Sequence, residues 1–193
     1  MSYAIPTNEL TLSDIRDYKT KAIAAGIVRA KAKGIAATDE ELVVREMQPS
    51  FDLGILAGLA AGVGYALEYY VTAAGVGAGV WAPAPGVTAW VADPALPVGR
   101  VAVFYKVYDS MADPQATAVR FMIAGATTKA SFFIQCLLDN KLEPEAWFSE
   151  PVVYDPQDIV NIDFFGRAAT MAVVGEELGF GCFIIERVGA VVS

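Results

Sequence analysis

Histidine is absent from the 193 residues of this sequence. It is the most frequent general base in enzymes, a frequent metal ligand and the side chain that changes charge near neutral pH. Its absence excludes Ser-His-Asp triads and Cys-His pairs. We therefore predict that the protein is not an enzyme.

Cysteine is scarce, with two residues, Cys136 and Cys182, and no CxxC motif. The missing motif excludes the common redox and zinc-binding arrangements of paired cysteines. Each cysteine lies in an apolar run, FFIQCLL or FGCFII, which is typical of a small buried residue. A disulfide between them remains open, because sequence spacing does not give its geometry.

Charge is sparse and mostly negative. Charged residues make up 19% of the chain, against about a quarter in an ordinary soluble domain. The net charge is −8, and hydrophobic residues make up 55%. An acidic surface repels phosphate, so we expect no direct nucleic-acid binding. The large apolar fraction predicts contact with neighbouring subunits or lipid.

The first 34 residues predict an arm that contains an amphipathic helix over residues 11–33. Thr11 and Asp14 are spaced as a capping box, and Gly34 is a natural stop. Apolar residues between them recur at helical spacing: Leu12, Ile15, Tyr18, Ala22, Ile23 and Ile27. No basic and apolar leader opens the sequence, so we expect synthesis and use in the cytosol.

Three basic residues gather at the end of this helix, where they suit the helix dipole: Arg29, Lys31 and Lys33. Two interpretations are open. The helix packs on its own domain, or it is an arm that contacts a neighbouring subunit or an anionic membrane surface.

Residues 53–81 hold seven glycines and one charge, Glu68. The uncharged run before Glu68 is fifteen residues, whereas a membrane span needs about 20. A carboxylate within a span costs about 2–3 kcal/mol or more. We therefore predict strands and turns whose apolar surface meets another subunit. The candidate interface residues are Leu53, Leu56, Tyr69, Tyr70, Trp81 and Trp90.

Strand patterns dominate the rest of the chain, with turn signals every eight to twelve residues and no long helix. This spacing predicts a mainly β domain over residues 35–193, an antiparallel β-sandwich or single jelly roll. The segments predicted as strands include 42–47, 65–74, 100–108, 118–126, 130–138 and 179–189. Residues 150–165 are predicted as two strands joined by an Asp-Pro turn. Residues 139–147 are predicted as a loop and 175–179 as a hairpin turn.

Carboxylates occur in two small groups that could bind a metal ion or catalyse hydrolysis, but a structural role explains each group better. Asp155, Asp158 and Asp163 could hold a hard cation, but an Asp-Pro turn with solvated acids explains them better. Glu143 and Glu145 could form a glycosidase pair, but they are better explained as part of a polar loop. No phosphate-binding glycine motif is present. We predict no catalytic residues, no metal and no cofactor.

A helical arm, the strand spacing with PVVYDPQDIVNIDFF, and the closing GFGCFIIERVGAVVS together resemble one protein family. This family is the single-jelly-roll major capsid proteins of membrane-containing icosahedral double-stranded DNA viruses of thermophilic bacteria and haloarchaea. The resemblance covers roughly residues 40–193 and rests on size, strand spacing and missing catalytic groups rather than on a signature motif.

The resemblance implies a self-assembling structural subunit of a virion, assembled in the host cytoplasm. Its partners would be copies of itself, other capsid subunits and an internal lipid membrane. The basic end of the helix would face that membrane or bridge subunits. A net charge of −8 is less acidic than haloarchaeal versions should be, which favours a non-halophilic host.

Two alternatives belong to other classes of protein. One is a β-sandwich binding module that recognises a carbohydrate or receptor through Trp81, Trp90 and Trp147. Exposed tryptophans would favour it, and buried ones would favour the capsid hypothesis. The other is a small membrane protein that uses residues 53–81 as a span or hairpin.

Overall fold

One long helix and ten strands make up most of the part of the chain described by the computed structural model. This part comprises residues 2–47, 69–72, 81–84, 95–109, 116–139, 144–166 and 176–190. The helices are α1 (Leu12–Ala32) and a four-residue α2 (Cys136–Asp139). The strands are β1 (Ser2–Pro6), β2 (Leu42–Glu46), β3 (Tyr69–Thr72), β4 (Trp81–Ala84), β5 (Arg100–Asp109), β6 (Ala116–Ile123), β7 (Thr127–Phe133), β8 (Glu145–Tyr154), β9 (Val160–Gly166) and β10 (Glu176–Arg187).

The strands form one curled sheet in the order β2-β10-β5-β8-β1-β7-β6-β9-β4, with β3 also paired to β10. The short β1 joins two halves. Its residues Ala4, Ile5 and Pro6 pair antiparallel with β8, and Ser2 and Tyr3 pair parallel with β7. We call β2, β3, β10, β5 and β8 the first half, and β7, β6, β9 and β4 the second half.

The two halves face each other across an aromatic core. The ring of Phe121 in β6 lies 5.2 Å from Phe104, 5.5 Å from Phe148 and 5.6 Å from Phe180, all on the first half. The prediction of a mainly β chain with an N-terminal helix is therefore confirmed. The purely antiparallel arrangement is wrong, because β1 and β7 run parallel. The jelly roll stays a prediction.

The central strand of the first half, β5, is buried on both faces. In β5, Ala102 and Phe104 face the aromatic core, whereas Val101, Val103 and Tyr105 face a second core beneath α1. Successive side chains of a strand point to opposite faces, so a strand covered on both sides needs a continuous apolar run. This is the physical reason for the VAVFY sequence.

Helix α1 begins and ends where its sequence predicts, within one residue. The Thr11 N–H donates to Asp14 Oδ2 at 2.8 Å, and the Asp14 N–H donates to Thr11 Oγ1 at 3.2 Å, which completes a capping box. The helix lies on β5, β8 and β10. Gly26 allows this close approach, because a Cβ there would overlap the side chains of Val103 and Ile185.

Several strand limits differ from the sequence prediction. β8 begins at Glu145, inside the predicted loop 139–147, and β10 begins at Glu176, inside the predicted turn 175–179. β7 ends at Phe133, and its predicted continuation is replaced by α2. Pairing with distant strands explains the first two differences: Glu145 lies opposite Tyr108, and Leu178 lies opposite Asp109. The predicted strand at 42–47 is confirmed as β2.

Candidate functional site

A cleft of about 750 Å³ opens on the side of the first half that carries α1. We call it the mixed-charge cleft. Its polar lining consists of Thr7, Lys19, Glu46, Tyr105, Lys106, Tyr108, Asp109 and Glu145. A register shift against β10, between Gly181 and Cys182, places an extra residue, Tyr105, in β5. Both Tyr105 and Lys106 therefore lie against the ring of Trp147.

One carboxylate of this cleft, Glu145, is held by a lysine and by a threonine hydroxyl. Lys106 Nζ lies 2.7 Å from Glu145 Oε2, and Thr7 Oγ1 donates to Glu145 Oε1 at 3.0 Å. Trp147 Nε1 donates to Thr7 Oγ1 at 3.1 Å. Lys106 also lies over the rings of Tyr108 and Trp147, 5.6 Å from each centroid. The carboxylate therefore has a fixed position and a fixed counter-charge.

Tyr105 stays protonated in this cleft. Burial raises the pKa of its phenol, and the nearby Glu46 carboxylate raises it further. The Tyr105 hydroxyl donates to Glu46 Oε1 at 3.1 Å, and its ring stacks on Phe183 at 4.6 Å. Gly181 provides room for the Tyr105 ring, because a Cβ there would overlap it. Tyr105 and Glu46 thus form a fixed donor and acceptor pair in the described lining.

The three basic residues predicted to contact a membrane or subunit are all ion-paired within the chain. Arg29 makes two hydrogen bonds of 2.5 Å to Asp155, and Lys33 Nζ lies 3.0 Å from the same carboxylate. Lys31 Nζ lies 2.6 Å from Asp39. The hydrogen bonds from Arg29, together with Lys33, lower the pKa of Asp155 to about 2 against the opposing effect of burial. The contacts of Arg29 and Lys33 with Asp155 attach the end of α1 to the turn after β8.

The carboxylates considered for a cation site each meet a basic side chain. Asp158 lies 3.2 Å from Lys129 Nζ and accepts the Asp155 backbone N–H at 2.9 Å. Asp163 is bound by Arg120. Within the described ranges, no three metal-ligating side chains form a cluster. Glu143 lies outside these ranges, so the proposed carboxylate pair with Glu145 is not seen.

The predicted tryptophans and interface residues are dispersed. Trp147 is buried at 2% exposure. Trp81 is half-buried at the start of β4, 5.4 Å from the Phe165 ring and beneath the Arg120 guanidinium. Tyr69 and Tyr70 belong to β3 and pair with β10. The remaining predicted interface residues, Leu53, Leu56 and Trp90, lie outside the described residues.

Exposed apolar side chains occur where the sequence analysis did not place them. Tyr3 and Phe133 are register partners in β1 and β7 and are 60% and 57% exposed. Val98 and Val188 are 78% and 61% exposed. Both flank the paired residues Arg100 and Glu186 at one end of the first half. The sequence did contain a signal for the exposed ring of Phe133. Phe132 and Phe133 are adjacent in one strand, so their side chains point to opposite faces and only one of them can face the core.

A second cleft, of about 590 Å³, lies beside the first turns of α1. We call it the acidic cleft. Its charged lining residues are Asp14, Asp17, Lys21 and Glu150, and Tyr3 and Tyr18 supply rings. Lys21 Nζ lies 2.9 Å from Glu150 Oε1. Three carboxylates thus face one ammonium group, so the cleft favours a further cation.

Within the described ranges, no helix has the length and apolarity needed to cross a bilayer. No protein-family model and no curated protein matches this sequence.

Proposed function

We propose that this protein is a structural subunit that assembles with copies of itself into a capsid shell, as its resemblance to single-jelly-roll capsid proteins implies. The observation that carries the proposal is the pairing of exposed apolar side chains. Tyr3 lies beside Phe133, and Val98 and Val188 lie at one end of the first half. We call these the aromatic patch and the valine patch.

Burial of these patches would favour association. Removing one large apolar side chain from water contributes about 1.5–3 kcal/mol. An obligate interface commonly buries about 2,000 Å² or more, so the patches would form the centres of larger contacts. The low charged fraction of the sequence, 19%, is consistent with extensive interfaces.

The chemistry of the mixed-charge cleft also favours a structural role. Glu145 is bound by Lys106 and Thr7, and Glu46 accepts a hydrogen bond from a protonated Tyr105. Groups held in this way stabilise the fold and are poorly suited to transfer protons. Burial of Trp147 likewise gives no support to a binding module built on that side chain.

The proposal places the protein in a virion, with other capsid subunits and an internal membrane as further partners. Arg29, Lys31 and Lys33 remain partly exposed, with 46%, 38% and 39% of their side-chain surface accessible. An anionic lipid headgroup would have to compete with Asp155 and Asp39 for them. Membrane contact would therefore be secondary to contact between subunits.

Light scattering of the protein purified without detergent tests the proposal. We expect a trimer or larger assembly rather than the 20.5 kDa monomer. Phe133→Ser should lower the mass, because it removes an exposed ring from the aromatic patch. Leu12→Ser is the matched control, since Leu12 is 77% exposed but lies outside both patches. A wild-type monomer at all concentrations would overturn the proposal and favour the binding-module alternative.

A further inference from the structure

Helix α1 presents an outward face with an apolar centre and opposite charges at its two ends. Thr20, Ala24 and Val28 are spaced four residues apart and are exposed, Val28 by 64%. Residues at this spacing lie on one side of a helix. Asp17 and Lys31 lie on the same side and are also exposed. Each is seven residues from Ala24, so each lies about 10.5 Å from it along the helix axis.

This arrangement is complementary to itself. When two copies of α1 run antiparallel about a two-fold axis at Ala24, Thr20 of one copy meets Val28 of the other. The same axis places Asp17 of each copy beside Lys31 of the other, which gives two symmetric ion pairs. Ala24 at the crossing point allows two helices to approach to about 8–10 Å, and a crossing near 20° would keep both charge pairs aligned.

The acidic cleft supplies an independent reason for this partner. Asp17 lines that cleft together with Asp14 and Glu150, and Lys21 is the one basic residue of its described lining. A lysine from a second copy would therefore enter a site with an excess of carboxylate. In the monomer Lys31 pairs with Asp39, which is 60% exposed. Such surface pairs contribute about 0–1 kcal/mol, so exchange for Asp17 of a neighbour costs little.

We propose that the outward face of α1 binds the same face of a second copy, antiparallel about Ala24, with Lys31 of each copy at the acidic cleft of the other. This inference rests on the proposed function, because it names one contact between assembled copies. About four helical turns of a single helix bury less than the roughly 1,200 Å² of a stable specific interface. The contact therefore adds to those made by the aromatic and valine patches.

Disulfide trapping tests the position of the two-fold axis. In oxidised Ala24→Cys protein we expect a reducible dimer as the main product, because the two thiols meet at the axis. Ser13→Cys is the matched control on the same exposed face. Its two thiols would be about 33 Å apart along the helices, so it should not cross-link. The wild type controls for Cys136 and Cys182. Equal cross-linking of both variants, or of neither, would overturn the inference.

Charge reversal tests the Asp17–Lys31 contact. Asp17→Lys and Lys31→Asp should each weaken association about tenfold, since each replaces two attractive pairs by two repulsive ones. The double variant should recover near-wild-type association. Both residues are exposed, so circular dichroism should show an unchanged fold.

Two weak single variants without recovery in the double variant would contradict the Asp17–Lys31 pairing. If neither charge reversal weakens assembly and Ala24→Cys gives no cross-linked dimer, the helix contact is overturned and the proposed function stands. A wild-type monomer would overturn the proposed function itself.

Discussion

Among the residues that the structure describes, Glu186 is the most completely buried charged residue. Its side chain is fully buried and accepts hydrogen bonds from Arg45 Nε at 2.7 Å and from Arg100 Nε at 2.6 Å. Arg100 lies directly opposite it in β5, and Arg45 reaches it from β2. Burial of an unpaired carboxylate would cost several kcal/mol. Two arginines offset this cost and fix the register of three strands at one end of the first half.

Glu186→Gln should lower the free energy of unfolding by about 3–5 kcal/mol, because it leaves Arg45 and Arg100 without their counter-charge. Urea denaturation measures the loss. Glu150→Gln provides the control, since Glu150 is 68% exposed and pairs with Lys21 at the surface. That substitution should cost less than about 1 kcal/mol. Similar losses in both variants would show that burial does not decide the strength of these pairs.

At the scale of elements, the attachment of α1 combines apolar packing with ion pairs at its middle and near its C-terminal end. Ala22, Gly26 and Ala30 are buried against the sheet. Lys21 pairs with Glu150 in β8, and Arg29 pairs with Asp155 in the turn that follows β8. The helix is therefore part of the folded domain, and any contact with a neighbour must use its outward face.

The ion pairs between α1 and Asp155 should make the free energy of unfolding depend on pH in the acid range. The pKa of Asp155 falls from its ordinary value of 3.8 to about 2 in the folded protein. Its contribution is therefore fully present above about pH 4 and is lost as pH falls through about 2. Asp155→Asn should cost about 1–2 kcal/mol at pH 6, after allowance for solvent screening of Arg29 and Lys33.

Denaturation at pH 6 and pH 2 checks this dependence, with Asp39→Asn as the control. Asp39 is 60% exposed and pairs with Lys31, so its replacement should change little at either pH. The difference between wild type and Asp155→Asn should nearly vanish at pH 2. A difference that persists there would mean that the carboxylate's charge is not what attaches the helix.

Local signals explain which elements the sequence predicts well. The cap of α1 uses Thr11 and Asp14, three residues apart, and its stop uses Gly34, so its limits follow from sequence alone. β5 is similarly evident from its apolar run. By contrast, β1 was not predicted, because its five residues contain Pro6 and acquire strand structure only by pairing with β7 and β8.

The candidate site was less predictable for the same reason. Arg29 and Asp155 were both noted, but 126 residues separate them, and no local pattern indicates that they form a pair. Tyr105 and Glu46 likewise meet only because β2 and β5 lie on either side of β10. Sequence spacing identifies candidate groups, whereas the pairing of distant strands decides which groups meet.

At the scale of the whole molecule, Phe121 connects the two halves of the sheet. Its ring contacts Phe104, Phe148 and Phe180 on the first half and Phe132 on the second. No disulfide joins Cys136 and Cys182, so the described halves are held by this packing and by β1. The core is therefore expected to unfold as one cooperative unit.

Phe121→Ala should destabilise the protein by about 3–5 kcal/mol, because it removes a fully buried ring from the centre of the core. Hydrogen exchange should show equal loss of protection in β5 and β6, one strand from each half. Leu12→Ala, at a 77% exposed position, should leave exchange in both strands unchanged. Loss confined to β6 would mean that the halves unfold separately.

The position of β1 also has a consequence for synthesis on the ribosome. Ser2 pairs with Phe132, and Ala4 pairs with Phe148. At about 5–20 residues per second, β1 leaves the ribosome several seconds or more before its partner strands exist. Closure of the sheet must therefore wait until β8, which ends at Tyr154, has been synthesised. Until then β1 lacks its β8 partner, and the edges of the incomplete sheet are exposed. Chaperones commonly protect such exposed strand edges.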